Sequence, residues 1–260
     1  MSESLARRLA ELSPERRRLV LERLRGREAA ARVGPAPRQA RGALPLSFAQ
    51  ERLWFLWRLA PGSTAYNAPS AVRLHGRLDV PALRAALAGV VARHEILRTR
   101  YAERDGAVVQ VVDPPAAVDL PVIEVPADGD AERGERALRA LVDAASEEPF
   151  DLAAGPVLRA RLYRLGPSEH VLLLAMHHIC CDGWSLPIIW QQLSAEYRVA
   201  GPSAAGDLGD RGDLGAVGLQ YADFAWWQRE RARAGGFAEG LDFWGSQLAG
   251  LPVVELPADR

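Results

Sequence analysis

Val171-Leu172-Leu173-Leu174-Ala175-Met176-His177-His178-Ile179-Cys180-Cys181-Asp182-Gly183-Trp184-Ser185 is the stretch whose reading decides the fold. Its first six residues are apolar without interruption, the pattern of a short strand buried on both faces. Leu186 to Leu193 follow with apolar residues at helical spacing and Pro187 in the first turn, so a helix begins there. A buried strand therefore delivers two histidines and an aspartate into a strand-to-helix turn, and Gly183 permits tight backbone geometry in it. Neighbours on an extended segment face opposite sides, so His177 and His178 should not share a task. One can face a cavity while the other packs inside. The chain has only five histidines, and two of them meet here, which packing alone explains poorly.

Elements of both kinds surround this turn. Upstream, Val157 to Leu165 reads as a strand that pairs with Val171 to Met176 across Gly166-Pro167-Ser168. Glu132 to Glu147 reads as a long helix, and Val118 to Val125 as an alternating strand. Arg104-Asp105-Gly106 is a hairpin signal between a strand after Thr99 and Val108 to Val112. Asp79-Val80-Pro81 opens a helix running to about His94, with Leu83, Leu87, Val90 and Val91 as its buried stripe. A strand is expected over Ser70 to Leu74. Ser47 caps a helix that contains Gln50, Leu53, Trp54 and Leu56. The fold class is α/β.

The composition narrows the class. Apolar residues make up 48% of the chain, ample for a core. Net charge is −1, and every basic side chain is Arg. No global field then argues for nucleic acid or an anionic membrane as partner. No run approaches the ~20 apolar residues of a membrane span, and a charged N-terminus replaces a signal-peptide core, so a cytoplasmic protein is expected. Cys180 and Cys181 are adjacent, where a disulfide is strained. A metal site built from His177, His178, Cys181 and Asp182 lacks the spacing of known ligand sets, so no metal is expected.

The ends differ from the middle. Residues 1–35 carry two apolar stripes, Leu5, Leu9 and Leu12, then Leu19, Val20 and Leu24, separated by Ser13-Pro14-Glu15. Two short Arg-rich helices are expected, either a solvated leader or a docking element that meets an acidic or apolar segment of a partner protein. Residues 36–45 read as a linker. Gly201 to Gly218 reads as a mobile loop.

The turn also resembles the His-His-x-x-x-Asp-Gly signature of the condensation-domain and chloramphenicol-acetyltransferase superfamily. Three further segments resemble core motifs of condensation domains of nonribosomal peptide synthetases, in the same order. They are Ser47 to Leu56, Arg93-His94-Glu95-Ile96-Leu97-Arg98-Thr99-Arg100-Tyr101, and Tyr221 to Gln228. The resemblance implies a chloramphenicol-acetyltransferase-like two-layer sandwich, one lobe of a two-lobed domain, over residues 46–218. Residues 219–260 then start the crossover into a C-terminal lobe that lies outside this sequence, which makes the chain a fragment. It also implies amide formation between a carrier-bound donor thioester and a carrier-bound acceptor amine, with substrates on phosphopantetheine arms and no cofactor bound directly. The implied partners are carrier proteins, an adenylation domain, the second lobe and an upstream synthetase docked through residues 1–35.

In that family the second histidine, here His178, handles the proton of the attacking amine or orients it. His177 supports the loop. Asp182 makes a structural ion pair with an arginine, for which Arg98 and Arg93 are the candidates. Gly183 leaves room in the tunnel, and its amide contacts the acyl groups. Trp184, Ser185 and Trp227 line the tunnel or pack. Heterocyclisation domains carry aspartates at the positions of His177 and His178, and epimerisation domains place Trp after the serine. The pattern thus most resembles the subtype joining an L-configured donor to an L-configured acceptor. Two further readings stand beside this one: a non-catalytic module that docks carriers or a synthetase, and another acyltransferase with the same signature.

Overall fold

The computed structural model describes residues 16, 34–38, 43–126, 130–201 and 217–252. The residues form two compact units, Pro37–Trp226 and the pair Met1–Ala36 with Trp227–Arg260. The helices expected before residue 35 and the tail after residue 252 fall outside the described residues, as does most of the loop expected from Gly201 to Gly218.

The larger unit is built on the four-stranded sheet β2-β7-β6-β5. Its strands are β2 (Asn67–His75), β5 (Val122–Glu124), β6 (Leu158–Gly166) and β7 (Glu169–His177). β7 runs antiparallel to β2 and β6, while β5 joins β6 in parallel. Every residue of β7 after Glu169 is buried, which is why Val171 to Met176 are apolar instead of alternating. Leu172, Leu174 and Met176 face a cluster with Leu83, Leu87, Val90, Ile189 and Leu193. Those partners belong to α2 (Val80–Arg93) and α4 (Ser185–Ala200). Val171 and Leu173 face the opposite cluster with Tyr163 and with Leu138 of α3 (Ala131–Ser146). Helices thus cover both faces of this sheet, and the period of two sorts β7 between them.

A second sheet, β1-β4-β3, comprises Leu44–Pro45, Ala107–Val112 and Thr99–Arg104. Its hairpin turns at Asp105 and Gly106, both at positive φ, the conformation the Asp-Gly pair favours. α1 (Phe48–Leu59) starts with a capping box: Gln50 N–H donates to Ser47 Oγ at 3.1 Å, and Ser47 N–H donates to Gln50 Oε1 at 2.9 Å.

The compact unit is wider than the 46–218 expected. Arg38 donates through its backbone N–H and a guanidinium nitrogen to Asp223 Oδ1, at 3.1 and 2.8 Å, and reaches Glu95 at 2.7 Å. Asp223 lies on α5 (Tyr221–Arg233) and is buried. The pairing draws residues read as linker and crossover into one unit, and Leu44–Pro45, also read as linker, pairs with β4. In the smaller unit the Arg231 guanidinium lies 5.4 Å from the Trp227 ring and 5.3 Å from that of Phe237. The last helix, α6, spans Ala238–Gln247.

Candidate functional site

β7 ends on His177, and the chain then turns through residues 178–184 into α4. The alternation expected for the two histidines is met: His177 is buried and His178 is exposed. Their backbones are pinned on different neighbours. His177 N–H donates to the Val157 carbonyl at 3.1 Å, and His178 N–H donates to the Tyr66 carbonyl at 2.8 Å.

The side chains settle into opposite tautomers. Ile179 N–H donates to His177 Nδ1 at 3.1 Å, so that nitrogen keeps its lone pair. His178 Nδ1 lies 3.2 Å from the Cys181 carbonyl. A carbonyl only accepts, so Nδ1 carries the proton there, and a neutral His178 presents a bare Nε2. Among the described residues no hydrogen bond occupies that nitrogen. Burial, with the neighbouring His178 charge adding to it, pushes His177 down to about 4, so this ring is neutral at physiological pH. The Tyr66 and Phe150 rings flank it at 6.3 and 6.1 Å between centroids.

Asp182 closes the turn. Its Oδ1 accepts Ser185 Oγ–H at 2.6 Å and Ser185 N–H at 2.9 Å. The hydroxyl bond from Ser185 holds the Asp182 carboxyl below the usual carboxylate range against some opposing burial, with the Ser185 and Trp184 amides and the His178 charge helping. Asp182 therefore supplies acceptors to the unpaired N–H groups at the start of α4, a capping task.

The ion pair expected between Asp182 and Arg98 or Arg93 is not formed. Arg98 donates instead to the backbone carbonyls of Asp113 and Ala92. Arg93 lies 3.9 Å from Glu196. Asp182 is exposed in the turn, where water and Ser185 satisfy it, so burial exerts no demand for a cation. The backbone role expected of Gly183 is corrected as well. Its φ is not positive, and a Cβ built there meets nothing within 4 Å. Among the described residues neither strain nor packing calls for glycine there. Trp184 is 86% exposed, so it stands out into solvent instead of packing, while Trp227 belongs to the other compact unit.

Cys180 and Cys181 are buried free thiols, and both Sγ atoms point back at the His177 carbonyl, at 3.1 and 3.6 Å. The hydrogen bond to Cys181, together with burial, pushes the Cys180 thiol up, which suits packing and not nucleophilic attack. Among the described residues no three His, Cys, Asp or Glu side chains are placed to hold a metal ion. Sequence reasoning missed Tyr66, whose carbonyl anchors His178, and the structural use of Ser185. Asp182-x-x-Ser185 before an apolar helix was the available signal for the second.

Comparison with known proteins gives a consistent result. A family model described as "Condensation domain" matches residues 40–260. A linear gramicidin synthase of Brevibacillus parabrevis is 41% identical over 88% of this chain and 3% of its own length. A probable non-canonical nonribosomal peptide synthetase, CymA of Salinispora arenicola, is 44% identical over 95% of this chain and 3% of its own length. Among solved structures, the X-domain from teicoplanin biosynthesis superposes with a TM-score of 0.74 at 32% identity, covering 86% of this chain and 48% of that one. The same kind of domain, at 33% identity and a TM-score of 0.73 over 87% of this chain and 48% of that one, has been seen in complex with OxyB. The starter condensation domain of rhizomide synthetase shares the fold, with a TM-score of 0.69 over 81% of this chain and 49% of its own, at 23% identity. The chain thus spans a few per cent of these synthetases and about half of the solved chains. No helix among the described residues is long and apolar enough to cross a membrane.

Proposed function

This chain belongs to the condensation-domain family, and we propose that it contributes the reacting histidine for amide formation between two thioesters presented on carrier proteins. The observation that carries the reading is the Nε2 of the exposed His178, bare among the described residues while Nδ1–H is tied to the Cys181 carbonyl. The acceptor amine nitrogen attacks the donor thioester carbonyl carbon. Nε2 accepts the proton that the amine loses, the tetrahedral intermediate collapses, the C–S bond breaks, and the proton passes to the leaving thiolate. The Cys181 carbonyl faces the imidazolium that forms between those steps, and the carboxylate of Asp182 stands in the same turn.

General-base assistance of this kind contributes about 10²–10⁴-fold, while positioning two tethered reactants can supply ~7–11 kcal/mol. His178→Ala should then slow amide formation without abolishing it. Gly183, with open space around it, leaves room for acyl groups over the histidine, and its amide can meet the developing oxyanion. Carrier proteins with phosphopantetheine arms, an adenylation domain and a second lobe are the partners this reading calls for, and an L-configured donor and acceptor its substrates. The test is transfer between pre-loaded carriers by a condensation domain bearing His178→Ala. The expected result is a rate lowered by about 10²–10⁴ with carrier loading unchanged; wild-type turnover would remove His178 from the chemistry. That outcome would favour a docking role, the kind of contact for which the X-domain complex with OxyB is a precedent in a relative.

A further inference from the structure

The parallel pairing of β5 with β6 covers only Leu162 to Arg164 on the β6 side. The preceding half of that edge, Leu158 to Arg161, has no strand beside it among the described residues. A cavity of about 520 Å³ opens there, between β6, the start of β3 and the segment that follows β4. Its volume is that of a site for a small organic molecule. Val91, Leu97, Val118 and Val157 give it apolar walls, and four arginines line it, Arg98, Arg100, Arg159 and Arg161.

The charges in this cavity do not balance. Arg159 and Arg161 share one carboxylate, Glu148, at 3.3 and 2.7 Å. Arg100 meets Asp113 through Nε alone, at 3.1 Å, which leaves its two terminal nitrogens unused among the described residues. Arg98 donates only to carbonyls, so among the described residues no carboxylate answers its charge. Asp119, also in the lining, is exposed and makes no ion pair among them. Four guanidiniums thus stand against three carboxylates. A second observation points the same way. The Nε atoms of Arg98 and Arg159 are buried and have no hydrogen-bond partner, and a buried donor left unsatisfied costs about 1–3 kcal/mol. Two such donors on residues of one cavity mark a place short of acceptors.

We propose that this cavity binds a small organic oxyanion with an apolar body. The unused fork of Arg100 and the uncompensated charge of Arg98 take the carboxylate or phosphate head, and the valine-lined walls take the remainder. None of residues 177–185 lines the cavity, and binding there does not depend on the amide-forming reading.

The test is ligand-observed NMR titration of the 260-residue chain with 4-phenylbutyrate, its neutral amide, and 3-phenylpropyl phosphate. The acid should saturate a single site, and the amide should bind at least ~10-fold more weakly, as expected for loss of a charge-assisted contact. Arg100→Gln should weaken the acid by a similar factor, and His178→Ala should leave it unchanged. Arg98→Gln is the second variant; should its circular dichroism show misfolding, the Arg100 result decides. Tighter binding of the phosphate would assign the head group as phosphoryl, of the acid as carboxylate. Equal affinity for acid and amide, or a folded Arg100→Gln that binds like the parent, overturns the proposal.

Discussion

His177 should make this protein progressively less stable as the pH falls from about 6.5 to about 4. In the folded chain burial holds the ring neutral down to about 4, whereas in the unfolded chain it takes a proton near its ordinary 6.5. Between those values the unfolded state binds more protons than the folded one, so stability rises with pH across the window. The contribution is fully present above 6.5 and gone below 4. A separation of that size corresponds to something on the order of 3 kcal/mol, at 1.36 kcal/mol per unit.

The perturbation that isolates it is His177→Gln, because the glutamine oxygen can still accept from Ile179 N–H but does not titrate. Urea unfolding of both proteins at pH 7.0, 6.0, 5.0 and 4.5 gives ΔG for each. The variant should start lower by about 1–3 kcal/mol at pH 7. The gap should then narrow as the pH falls, closing or inverting by pH 4.5. His170, whose pKa burial also lowers with help from Arg164, acts in the same direction in both proteins and cancels in the difference. Asp182 and Asp223 titrate below the usual carboxylate range and cancel likewise. A constant gap across the series would mean that the ring is not held neutral, and the account of the site's inner wall would fail.

Ser185→Ala removes a hydroxyl that both donates to Asp182 at 2.6 Å and accepts its N–H at 3.2 Å. It should cost about 1 kcal/mol of stability and slow carrier-to-carrier transfer, while Ser185→Thr restores both. A double-mutant cycle on Asp182 and Arg98, each to alanine, should give a coupling energy below ~0.5 kcal/mol, the level of independent sites. A larger value would restore the ion pair that the structure lacks. Arg38→Ala should lower stability by about 3–5 kcal/mol, because it strips the cation from the buried Asp223 carboxylate. Gln50→Leu should cost about 2–3 kcal/mol in urea unfolding, since it leaves both the Tyr101 hydroxyl and Gln110 Oε1 without the amide at 3.1 Å.

The elements that sequence reasoning placed well are those whose stabilisation is local or periodic. Ser47 and Gln50 cap each other within one turn, Asp79 accepts from Ala82 N–H at 2.9 Å, and the Asp105-Gly106 hairpin carries its own backbone preference. β7 was legible because its stretch Val171 to Met176, buried on both faces, has no polar residue to obscure it. Reading failed where the partner is remote in sequence. Nothing near Arg38 announces Asp223, 185 residues on, so the linker looked free. Short β5 was overdrawn to Val118–Val125 because parallel pairing depends on the Pro121 and Arg164 carbonyls, which accept from Leu162 and Val125 N–H. The Asp182 assignment came from resemblance; which arginine stands near it is a tertiary fact that spacing does not encode.

The two histidines also show why adjacent residues in this turn answer to different constraints. His177 is set by the sheet: its N–H is spent on Val157, its Nδ1 on Ile179, and its position in β7 leaves it 3% exposed. Moving it would disturb the register of the central strand. His178 is set by a short turn whose closure rests on Asp182 and Ser185, both outside the core. The His178 ring is thus held by exposed hydrogen bonds, of which each contributes about 1 kcal/mol, on a wall worth several times that. Substitutions in the wall should appear first as unfolding, and substitutions in the turn first as a misdirected Nε2 in a protein that still folds. Thermal denaturation and transfer rate measured on the same variants separate the two: Ser185→Ala should fall chiefly in rate, and His177→Gln in both. If Ser185→Ala lost stability in proportion to rate, the turn would be part of the core, and the division of labour between wall and turn would not hold.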